Sequence, residues 1–216
     1  MEALEPRSIG KAMVAKGRSC RGAKRALDVA GACLLMLLLS PIYLAIACSV
    51  LLVDGRPIFY RRRVVGGWGE FDAFKFRTMR RDADRMLSND PELRATFAAN
   101  FKLRKDPRVT GLGRVLRKFS LDELPQLWNV LQGQMSLVGP RMITAEELEK
   151  YGEHKQLLLS VKPGLTGYWQ VHGRQQVSYA ERVQMDVHYI RNWNLGLDVA
   201  LLLLTPWRVI RGHGAY

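Results

Sequence analysis

The sequence predicts a mainly helical α+β protein that enters one face of a membrane without crossing it, a monotopic arrangement. Three observations lead to this prediction: a long uncharged run interrupted by proline, a small β-hairpin around a glycine-rich turn, and amphipathic helical patterns near the C-terminus. We expect a basic N-terminal tail over residues 1–23, a re-entrant membrane helix over residues 24–54, and a cytosolic domain with interfacial helices over residues 55–216.

The uncharged run extends from Val29 to Val53 and would be about 37 Å long as one helix. An ordinary membrane-spanning helix accounts for that length, because the hydrocarbon core of a bilayer is about 30 Å thick. However, Ser40-Pro41 falls in the middle of the run, where proline removes a backbone hydrogen bond and kinks a helix. Basic flanks tend to stay cytoplasmic, and both ends have them, so a re-entrant helix, break and helix is the preferred prediction. The flanking cations are Lys24, Arg25, Arg56, Arg61, Arg62 and Arg63.

Two short strands are predicted next, over Pro57–Tyr60 and Glu70–Arg77, with a turn at Gly66–Gly69 between them. The alternation of the second strand puts Lys75 and Arg77 on one face. A solvated strand face and a phosphate-binding surface both remain open for these two cations.

Helices are predicted over Asp82–Leu87, from the N-cap Asp90 and Pro91 onwards, and over Tyr179–Trp193. The apolar run Val199–Leu204 is too short to span a bilayer. Because tryptophan and arginine lie near this run, we expect an interfacial helix.

Between these helices, the segment Ser136–Arg141 predicts a rigid turn that presents Arg141, whose planar guanidinium suits phosphate oxygens. Pro163-Gly164 predicts another turn, followed by a short aromatic strand that contains Tyr168 and Trp169. These aromatic rings could stack on a base or a sugar, and burial in the core is an equal alternative.

The charge composition requires an anionic partner, because the net charge is +13. Nucleic acid, anionic lipid and a phosphorylated substrate all fit that requirement. The three cysteines show no metal-ligand spacing, and their odd number argues against a disulfide framework. The sequence contains no Walker, GxGxxG or HExxH motif, so the chemistry of those motifs is not predicted.

A pair of acids interrupts the most basic part of the chain. Asp122 and Glu123 are the only acidic residues between Asp106 and Glu146, and seven Lys or Arg accompany one Asp over residues 101–120. Nearby opposite charges favour the ionised form of a carboxyl, so we expect both acids to be charged. Such a pair suits a nucleophilic carboxylate or a metal ligand acting on a phosphorylated substrate.

A structural role for the pair is the alternative, because Ser120 and Glu123 match a capping box. In that case Pro125 would lie inside the helix, where its ring costs a hydrogen bond. Proline prefers the first helical position, so we expect the helix to start at Pro125, with the acids just before its N-terminus.

Together these segments resemble the monotopic phosphoglycosyl transferases, the bacterial sugar transferases that start exopolysaccharide and O-antigen repeat units. The resemblance covers about residues 24–210, with many motifs in the expected order. The matching segments are Lys24-Arg25-x-x-Asp28, Ser40-Pro41, Lys75-Phe76-Arg77-Thr78-Met79, Asp106-Pro107-Arg108-Val109-Thr110, Leu116-Arg117-Lys118, Ser120-Leu121-Asp122-Glu123-Leu124-Pro125-Gln126-Leu127, Met135-Ser136-Leu137-Val138-Gly139-Pro140-Arg141, Pro163-Gly164-Leu165-Thr166-Gly167 and Gly173-Arg174.

The resemblance implies that Asp122 is the nucleophile, that Glu123 completes a catalytic dyad, and that both acids bind Mg²⁺. It also implies that Ser40-Pro41 breaks the re-entrant helix. The implied reaction transfers a sugar 1-phosphate from a UDP-sugar to undecaprenyl phosphate through a covalent aspartyl intermediate and releases UMP, as the first membrane step of exopolysaccharide or other glycan repeat-unit assembly. The cations expected to bind substrate or phosphate are Lys75, Arg77, Arg108, Arg117, Arg141 and Arg174.

The resemblance further implies a location at the cytoplasmic face of the bacterial inner membrane, contact with membrane lipids and no nucleic-acid partner, and it permits a homodimer. Two positions depart from the family pattern: Met142 stands where many members have proline, and His172 stands where Asn or Ser is common. The rival hypothesis is a membrane-tethered basic module that binds anionic lipid or nucleic acid. It explains the net charge but not an acidic pair that would repel either ligand.

Overall fold

The computed structural model describes residues 18–100, 103, 106–173 and 177–210. The helices in this part of the chain are α1 (Arg18–Leu38), α2 (Ser40–Val53), α3 (Ala83–Asn89), α4 (Pro91–Asn100), α5 (Gly111–Lys118), α6 (Gln126–Leu131), α7 (Ala145–Leu148), α8 (Lys155–Leu159), α9 (Tyr168–His172), α10 (Tyr179–Asn192) and α11 (Leu195–Ile210). The strands are β1 (Phe59–Gly66), β2 (Gly69–Phe76), β3 (Ser136–Val138) and β4 (Gly164–Thr166), and 3-10 turns cover Leu121–Glu123 and Glu149–His154.

The predicted break at Ser40-Pro41 is confirmed, because α1 and α2 meet there at an angle of 63°. Pro41 lies in the first turn of α2, where its missing N–H costs no helical hydrogen bond. The Ser40 hydroxyl donates to the Leu37 carbonyl at 2.8 Å. Within the described residues, no single helix is long and apolar enough to cross a membrane, although the bent pair together meets those requirements. Because α1 begins at Arg18, it includes part of the predicted tail, and residues 1–17 lie outside the described residues.

Helix α2 is apolar around its whole circumference, but only one side of it is covered. Ile46 and Val50 are buried against Phe76 and Leu116, in a small cluster at the base of the hairpin. The opposite side carries exposed leucines, of which Leu52 is 84% accessible. A helix that is apolar all round needs an apolar environment on its free side as well.

The predicted hairpin is confirmed, with β1 and β2 antiparallel and paired from Phe59↔Phe76 to Gly66↔Gly69. Strand β1 continues to Gly66, well past the predicted end at Tyr60. The sequence did not predict this continuation, because three successive arginines interrupt the alternation of apolar and polar residues that is typical of a strand. The fold compensates two of these charges: Arg63 pairs with acids on β2, and Arg62 pairs with a glutamate outside the hairpin.

The main core lies where α1, α6, α10 and α11 surround the short parallel pair β3 and β4. The two strands approach so closely that a Cβ on Gly164 would lie 2.1 Å from the Gly139 nitrogen, so glycine is required there. The predicted aromatic strand after β4 is wrong, because Tyr168 and Trp169 belong to helix α9. Helical hydrogen bonding starts at Gly167, whose carbonyl accepts from the Val171 N–H at 3.1 Å.

The other predicted helices are confirmed with shifted ends. Asp90 caps α4, since its carboxylate accepts from the Leu93 N–H at 2.9 Å. Helix α10 starts after a capping box at Ser178 and buries Val183 and Val187. Helix α11 extends well beyond the apolar run of residues 199–204, and it leaves Trp207 exposed. Its interfacial position stays a prediction.

Six side chains form a buried polar cluster, here named the anchor network, that fastens the start of α1 to the core. Asp28 accepts hydrogen bonds from the Ser136 hydroxyl and the Leu137 N–H, both at 2.9 Å. Asp198 accepts from Lys24 Nζ at 2.6 Å, so that α1 is tied to α11 across the molecule. The members of the anchor network are Lys24, Asp28, Ser136, Tyr189, Trp193 and Asp198.

The neighbouring cation Arg25 fastens α1 to α6. Its guanidinium donates to the carbonyls of Val130 at 2.6 Å and Leu131 at 2.7 Å. A cation at the C-terminal end of a helix satisfies free carbonyls there. Lys24 and Arg25 therefore have partners within the fold, in addition to flanking the uncharged run.

Candidate active site

The acid pair lies in the 3-10 turn Leu121–Glu123, between α5 and α6. Ser120 enters this turn in the left-handed conformation, with φ of 54°. The Ser120 side chain makes no capping hydrogen bond, so the capping-box alternative is not realised. Helix α6 begins at Gln126 rather than at Pro125, which precedes it as the N-cap. The acids therefore lie just before a helix N-terminus, as predicted.

Helix α5 brings a cation to the pair through an unusually close approach to the end of the hairpin. Thr110 caps the helix by accepting from the Gly113 N–H at 2.9 Å. A Cβ on Gly113 would lie 2.1 Å from the Thr78 carbonyl oxygen, so only glycine permits this packing. One turn later, Arg117 Nε donates to the Thr78 hydroxyl at 2.9 Å, and the charge of Arg117 acts on Asp122.

Glu123 is buried, and two cations balance the negative charge of its carboxylate. Its Oε1 accepts from Lys75 Nζ at 2.7 Å and from Arg141 Nη2 at 2.6 Å. Burial alone would raise the pKa of the Glu123 carboxyl. The charges of Arg141 and Lys75 and the hydrogen bonds from them outweigh burial and hold that pKa well below its usual range. Glu123 therefore stays ionised.

Asp122 is equally buried, with 6% of its surface accessible, but it has far fewer partners. Among the described residues, the only cation within 4.0 Å of its carboxylate is Lys75, and that separation is 4.0 Å. Burial raises the pKa of Asp122; the charge of Lys75 opposes this, and the charge of Glu123 adds to it. The cations lower the pKa of both acids, as expected, but at Asp122 burial outweighs them because Glu123 takes the close donors.

Lys75 is mostly enclosed, so the solvated strand face is excluded for this residue. Burial lowers the pKa of its ammonium group, and Glu123 opposes that shift. The position of Lys75 depends on Asn129, a buried amide in α6 that the sequence interpretation missed. Asn129 accepts from the Phe74 N–H at 3.1 Å and donates to the Asp72 carbonyl at 2.8 Å, which fixes β2 beside the acid pair.

The structure gathers some of the predicted phosphate-binding cations and disperses others. Lys75, Arg117 and Arg141 surround the acid pair. Arg77 donates instead to the Asp54 and Gly55 carbonyls at the end of α2. Arg108 forms a bidentate ion pair with Asp106. Arg174, the last candidate, lies outside the described residues.

Neither Arg77 nor Arg108 forms a hydrogen bond or ion pair with the two acids in the described part of the chain. The two departures from the family pattern are also away from the acids. Met142 is buried in the core, and His172 is exposed and stacks on the Tyr168 ring at 4.3 Å.

A second set of charges adjoins Arg141, and the sequence interpretation missed it. Glu147 is buried, with Arg62 Nη2 at 2.6 Å and Arg182 Nη1 at 3.8 Å from its carboxylate. The pKa of Arg141 is raised first by Glu123 and, to a smaller extent, by other acids that include Glu147. The only sequence pattern that involves Glu147 is Thr144-x-x-Glu147, which resembles a helix cap rather than a charged site. Thr144 does cap α7.

The acid pair has too few ligands to enclose a metal ion by itself. It fits a magnesium ion whose other ligands come from a substrate. In the described part of the chain there is no group of three or more His, Cys, Asp or Glu that could hold a metal ion. Mg²⁺ commonly takes one or two carboxylates and completes its shell with water and phosphate oxygens. Asp122, which has no close donor from the described residues, has the free oxygens that such binding requires.

The fold and the charged site together define a class of protein in which a buried acid pair among cations lies beside a bent apolar helix pair. The model of the family described as bacterial sugar transferase matches residues 19–212. The chain belongs to this family.

Named relatives are similar over most of the chain. The undecaprenyl-phosphate galactose phosphotransferase of Salmonella typhimurium is 45% identical over 204 residues, which are 92% of this chain and 43% of that protein. The exopolysaccharide production protein ExoY of Sinorhizobium fredii is 44% identical over 198 residues, which are 89% of this chain and 88% of that protein. The UDP-glucose:undecaprenyl-phosphate glucose-1-phosphate transferase of Xanthomonas campestris is 40% identical, over 82% of this chain and 36% of that protein. The chain thus spans less than half of two of these relatives and most of the third.

Proposed function

We propose that this protein transfers a sugar 1-phosphate from a UDP-sugar to undecaprenyl phosphate, releasing UMP, as the first membrane step in assembling an exopolysaccharide or other glycan repeat unit. The observation that carries the proposal is the unequal environment of two adjacent acids. Glu123 is bound by two cations, whereas Asp122 is buried with no hydrogen bond from a described residue. The names of the Salmonella and Xanthomonas relatives support the substrate class.

In the proposed mechanism, Asp122 is the nucleophile. A carboxylate oxygen attacks the phosphorus that carries the sugar, the bond from that phosphorus to UMP breaks, and UMP leaves with the bonding electron pair. The product is a sugar-phosphoryl-aspartate. An oxygen of undecaprenyl phosphate then attacks the same phosphorus, forms the diphosphate-linked sugar and restores the aspartate. Two displacements divide one difficult transfer, and the raised pKa of Asp122 makes its ionised form a stronger nucleophile.

The cations around the pair have separate proposed roles. Lys75 and Arg141 hold Glu123 in its ionised form, and their remaining N–H groups would donate to the diphosphate oxygens of the donor. Arg117 contributes positive charge on the Asp122 side of the site. Mg²⁺ bound by Asp122 and Glu123 would neutralise diphosphate charge and favour departure of UMP.

The chain is proposed to be monotopic, with α1 and α2 entering and leaving the cytoplasmic face of the bacterial inner membrane and residues 55–216 in the cytosol. The uncovered apolar side of α2 and the 63° bend support this arrangement. In such a position the helix pair holds the acid pair close to the depth of a lipid phosphate. A homodimer stays a prediction.

Accessibility of single cysteines tests the re-entrant arrangement. In a chain whose Cys20, Cys33 and Cys48 are replaced by alanine, Arg21→Cys and Arg56→Cys each place one exposed thiol near an end of the helix pair. A membrane-impermeant maleimide should label both only after spheroplasts are opened. Labelling of either one in closed spheroplasts would favour a membrane-spanning helix.

UMP release tests the proposed reaction. Membrane-inserted protein is supplied with undecaprenyl phosphate, Mg²⁺ and one UDP-sugar at a time, and wild type is compared with Asp122→Asn and with the control Asp84→Asn, which changes an exposed acid. Wild type and control should release UMP from a preferred donor, and Asp122→Asn should not. If Asp122→Asn releases UMP at the wild-type rate, Asp122 is not the nucleophile. If folded wild type releases none from any donor, the proposed reaction is wrong.

Without undecaprenyl phosphate, the wild type should retain labelled sugar phosphate on the chain, because the covalent intermediate has no acceptor. The label should map to Asp122 by peptide mass spectrometry. Donor turnover with no adduct under these conditions would indicate direct transfer in one step.

A further inference from the structure

Five buried polar atoms on α9 and α10 have no hydrogen-bond partner among the described residues. The donors are Trp169 Nε1, Arg182 Nε and Arg182 Nη2, and the acceptors are Gln170 Oε1 and Asp186 Oδ1. Most buried polar atoms in proteins are paired, so a concentration of unpaired ones requires an explanation. An unmade hydrogen bond in a buried site destabilises the fold unless another molecule supplies it.

Four of these atoms belong to Trp169, Arg182 and Asp186, which interact with one another. The Arg182 guanidinium carbon lies 4.8 Å from the centre of the Trp169 ring and 5.1 Å from the centre of the Tyr179 ring. Asp186 follows one helical turn after Arg182 and is 1% accessible. Only one of its oxygens is satisfied, by the Tyr151 hydroxyl at 2.8 Å.

The group adjoins the acid pair through Arg141. A Cβ on Gly167 would lie 2.2 Å from the Gly139 carbonyl and 2.8 Å from Gln170 Oε1, so Gln170 lies against the turn that presents Arg141. Burial raises the pKa of Asp186 to about 7, while the charges of Arg182 and Arg141 oppose that rise. Arg141 therefore acts on Asp186 on one side and on Glu123 on the other.

The unpaired atoms indicate what kind of ligand would satisfy them. Three donors and two acceptors call for groups that can both donate and accept, which is the property of hydroxyls. A phosphate only accepts, and it would face the carboxylates of Asp186 and Glu147. We propose that Trp169, Gln170, Arg182 and Asp186 form the subsite for the sugar ring of the donor and recognise its hydroxyl groups. The inference rests on the proposed function and adds to it the residues that select the sugar.

Arg182 is the side chain that would move when the sugar binds. Among the described residues, its guanidinium is held by two aromatic faces and by one ion pair of 3.8 Å to Glu147, with no short hydrogen bond to a carboxylate. Rotation of this long side chain uncovers the Trp169 ring and directs the two unpaired guanidinium nitrogens toward the ring hydroxyls. Asp186 and Gln170 then accept from hydroxyls on the same sugar.

Donor selection by an Asp186→Asn variant tests the subsite. Tyr151 would keep an oxygen acceptor, so the new amide N–H₂ faces the position of the unpaired acceptor and repels a donating hydroxyl. With UDP-galactose, UDP-glucose and UDP-N-acetylglucosamine as donors, kcat/KM for the preferred one should fall about 10- to 100-fold, and the ratio between donors should change. The inhibition constant of UMP, which has no sugar, should stay within about twofold, since each lost hydrogen bond involves the sugar alone.

Gln184→Ala is the matched control, because Gln184 is exposed on the same helix, and it should leave the donor ratio unchanged. Trp169→Phe keeps an aromatic ring and removes one unpaired N–H, so it tests the subsite even if Asp186→Asn does not fold. Unchanged donor ratios in both variants would overturn the subsite, and so would an equal loss for all donors together with weaker UMP inhibition. A wild type without any UMP release would overturn the proposed function and this inference together, whereas an active wild type with unaltered variants would overturn the inference alone.

Discussion

Asp198 and Asp122 are both buried carboxylates, and they differ in how many donors reach them. Asp198, in the anchor network, accepts from Lys24 at 2.6 Å, Tyr189 at 2.8 Å and Trp193 at 3.0 Å. Asp122 has one cation at 4.0 Å among the described residues. The first carboxylate holds helices together, and the second has lone pairs that no described donor occupies. Burial alone therefore does not distinguish a structural carboxylate from a candidate functional one. The donors that reach each oxygen must be compared.

The largest expected effect is the separation of activity from stability in Asp122→Asn. Loss of the proposed nucleophile should reduce UMP release at least about 1000-fold. Because the pKa of this acid is raised in the fold, its ionised form opposes folding near neutral pH, and the amide should raise the free energy of unfolding by about 0.5–2 kcal/mol. Urea unfolding and UMP release measure the two effects. A marked loss of stability would show that Asp122 holds the fold as Asp198 does.

The converse is expected for Lys24→Met in the anchor network. Removal of the cation leaves Asp198 and Asp28 buried without their ammonium partner, which should lower the free energy of unfolding by about 3–5 kcal/mol. The kcat of the protein that remains folded should change little, since Lys24 has no contact with the acid pair in the described structure. Arg21→Met, at an exposed position on the same helix, is the control. Unaltered unfolding would contradict a structural role for the network.

Glu123→Gln should combine the two behaviours, because this acid belongs to the site but is paired like the anchor network. Lys75 and Arg141 would lose their ionised partner, at a cost of about 2–3 kcal/mol at pH 7. The folded pKa of Glu123 is below its unfolded value of 4.5, so its ionised form stabilises the fold above that pH, and this contribution disappears as the pH falls further. The difference in Tm between wild type and variant should therefore shrink below pH 4.5. A constant difference would contradict the ionised pair.

The smallest expected effect concerns the pH dependence of activity in Arg117→Gln. The charge of Arg117 lowers the pKa of Asp122, so its removal should raise that pKa and move the acid limb of kcat to higher pH by up to about one unit. Arg114→Gln, an exposed position on the same helix, should leave the limb in place. A shift toward lower pH would mean that another group controls this limb.

Features with a local signal were predictable from the sequence. Proline at position 41 marks the helix break, glycines mark the hairpin turn, and Asp90 with Pro91 marks the start of α4. The acid pair was found because it interrupts a basic segment. In contrast, tyrosine favours strands, but Tyr168 lies in a helix, in which the Val171 N–H donates to the Gly167 carbonyl.

Partners that are distant in sequence were not predictable. Lys24 and Asp198 are 174 positions apart, and neither shows a pattern that points to the other. The same limit applies to the two adjacent acids. Their opposite pKa shifts depend on which oxygens Lys75 and Arg141 reach in the fold, and no spacing along the chain records that geometry. Arg182 and Asp186 were likewise hidden, since they occupy polar positions of an ordinary amphipathic helix.

The contact between Arg25 and α6 links the helix pair mechanically to the proposed reaction centre. Helix α6 is six residues long; its first turn follows the acid pair, and its last carbonyls are held by Arg25 of α1. Helix α6, about 9 Å long, thus joins the first part of α1 to the acids. In the proposed re-entrant position, changes in bilayer thickness that tilt α1 would be transmitted along α6. The composition of the bilayer would then affect the reaction rate without any contact between bulk lipids and the acids.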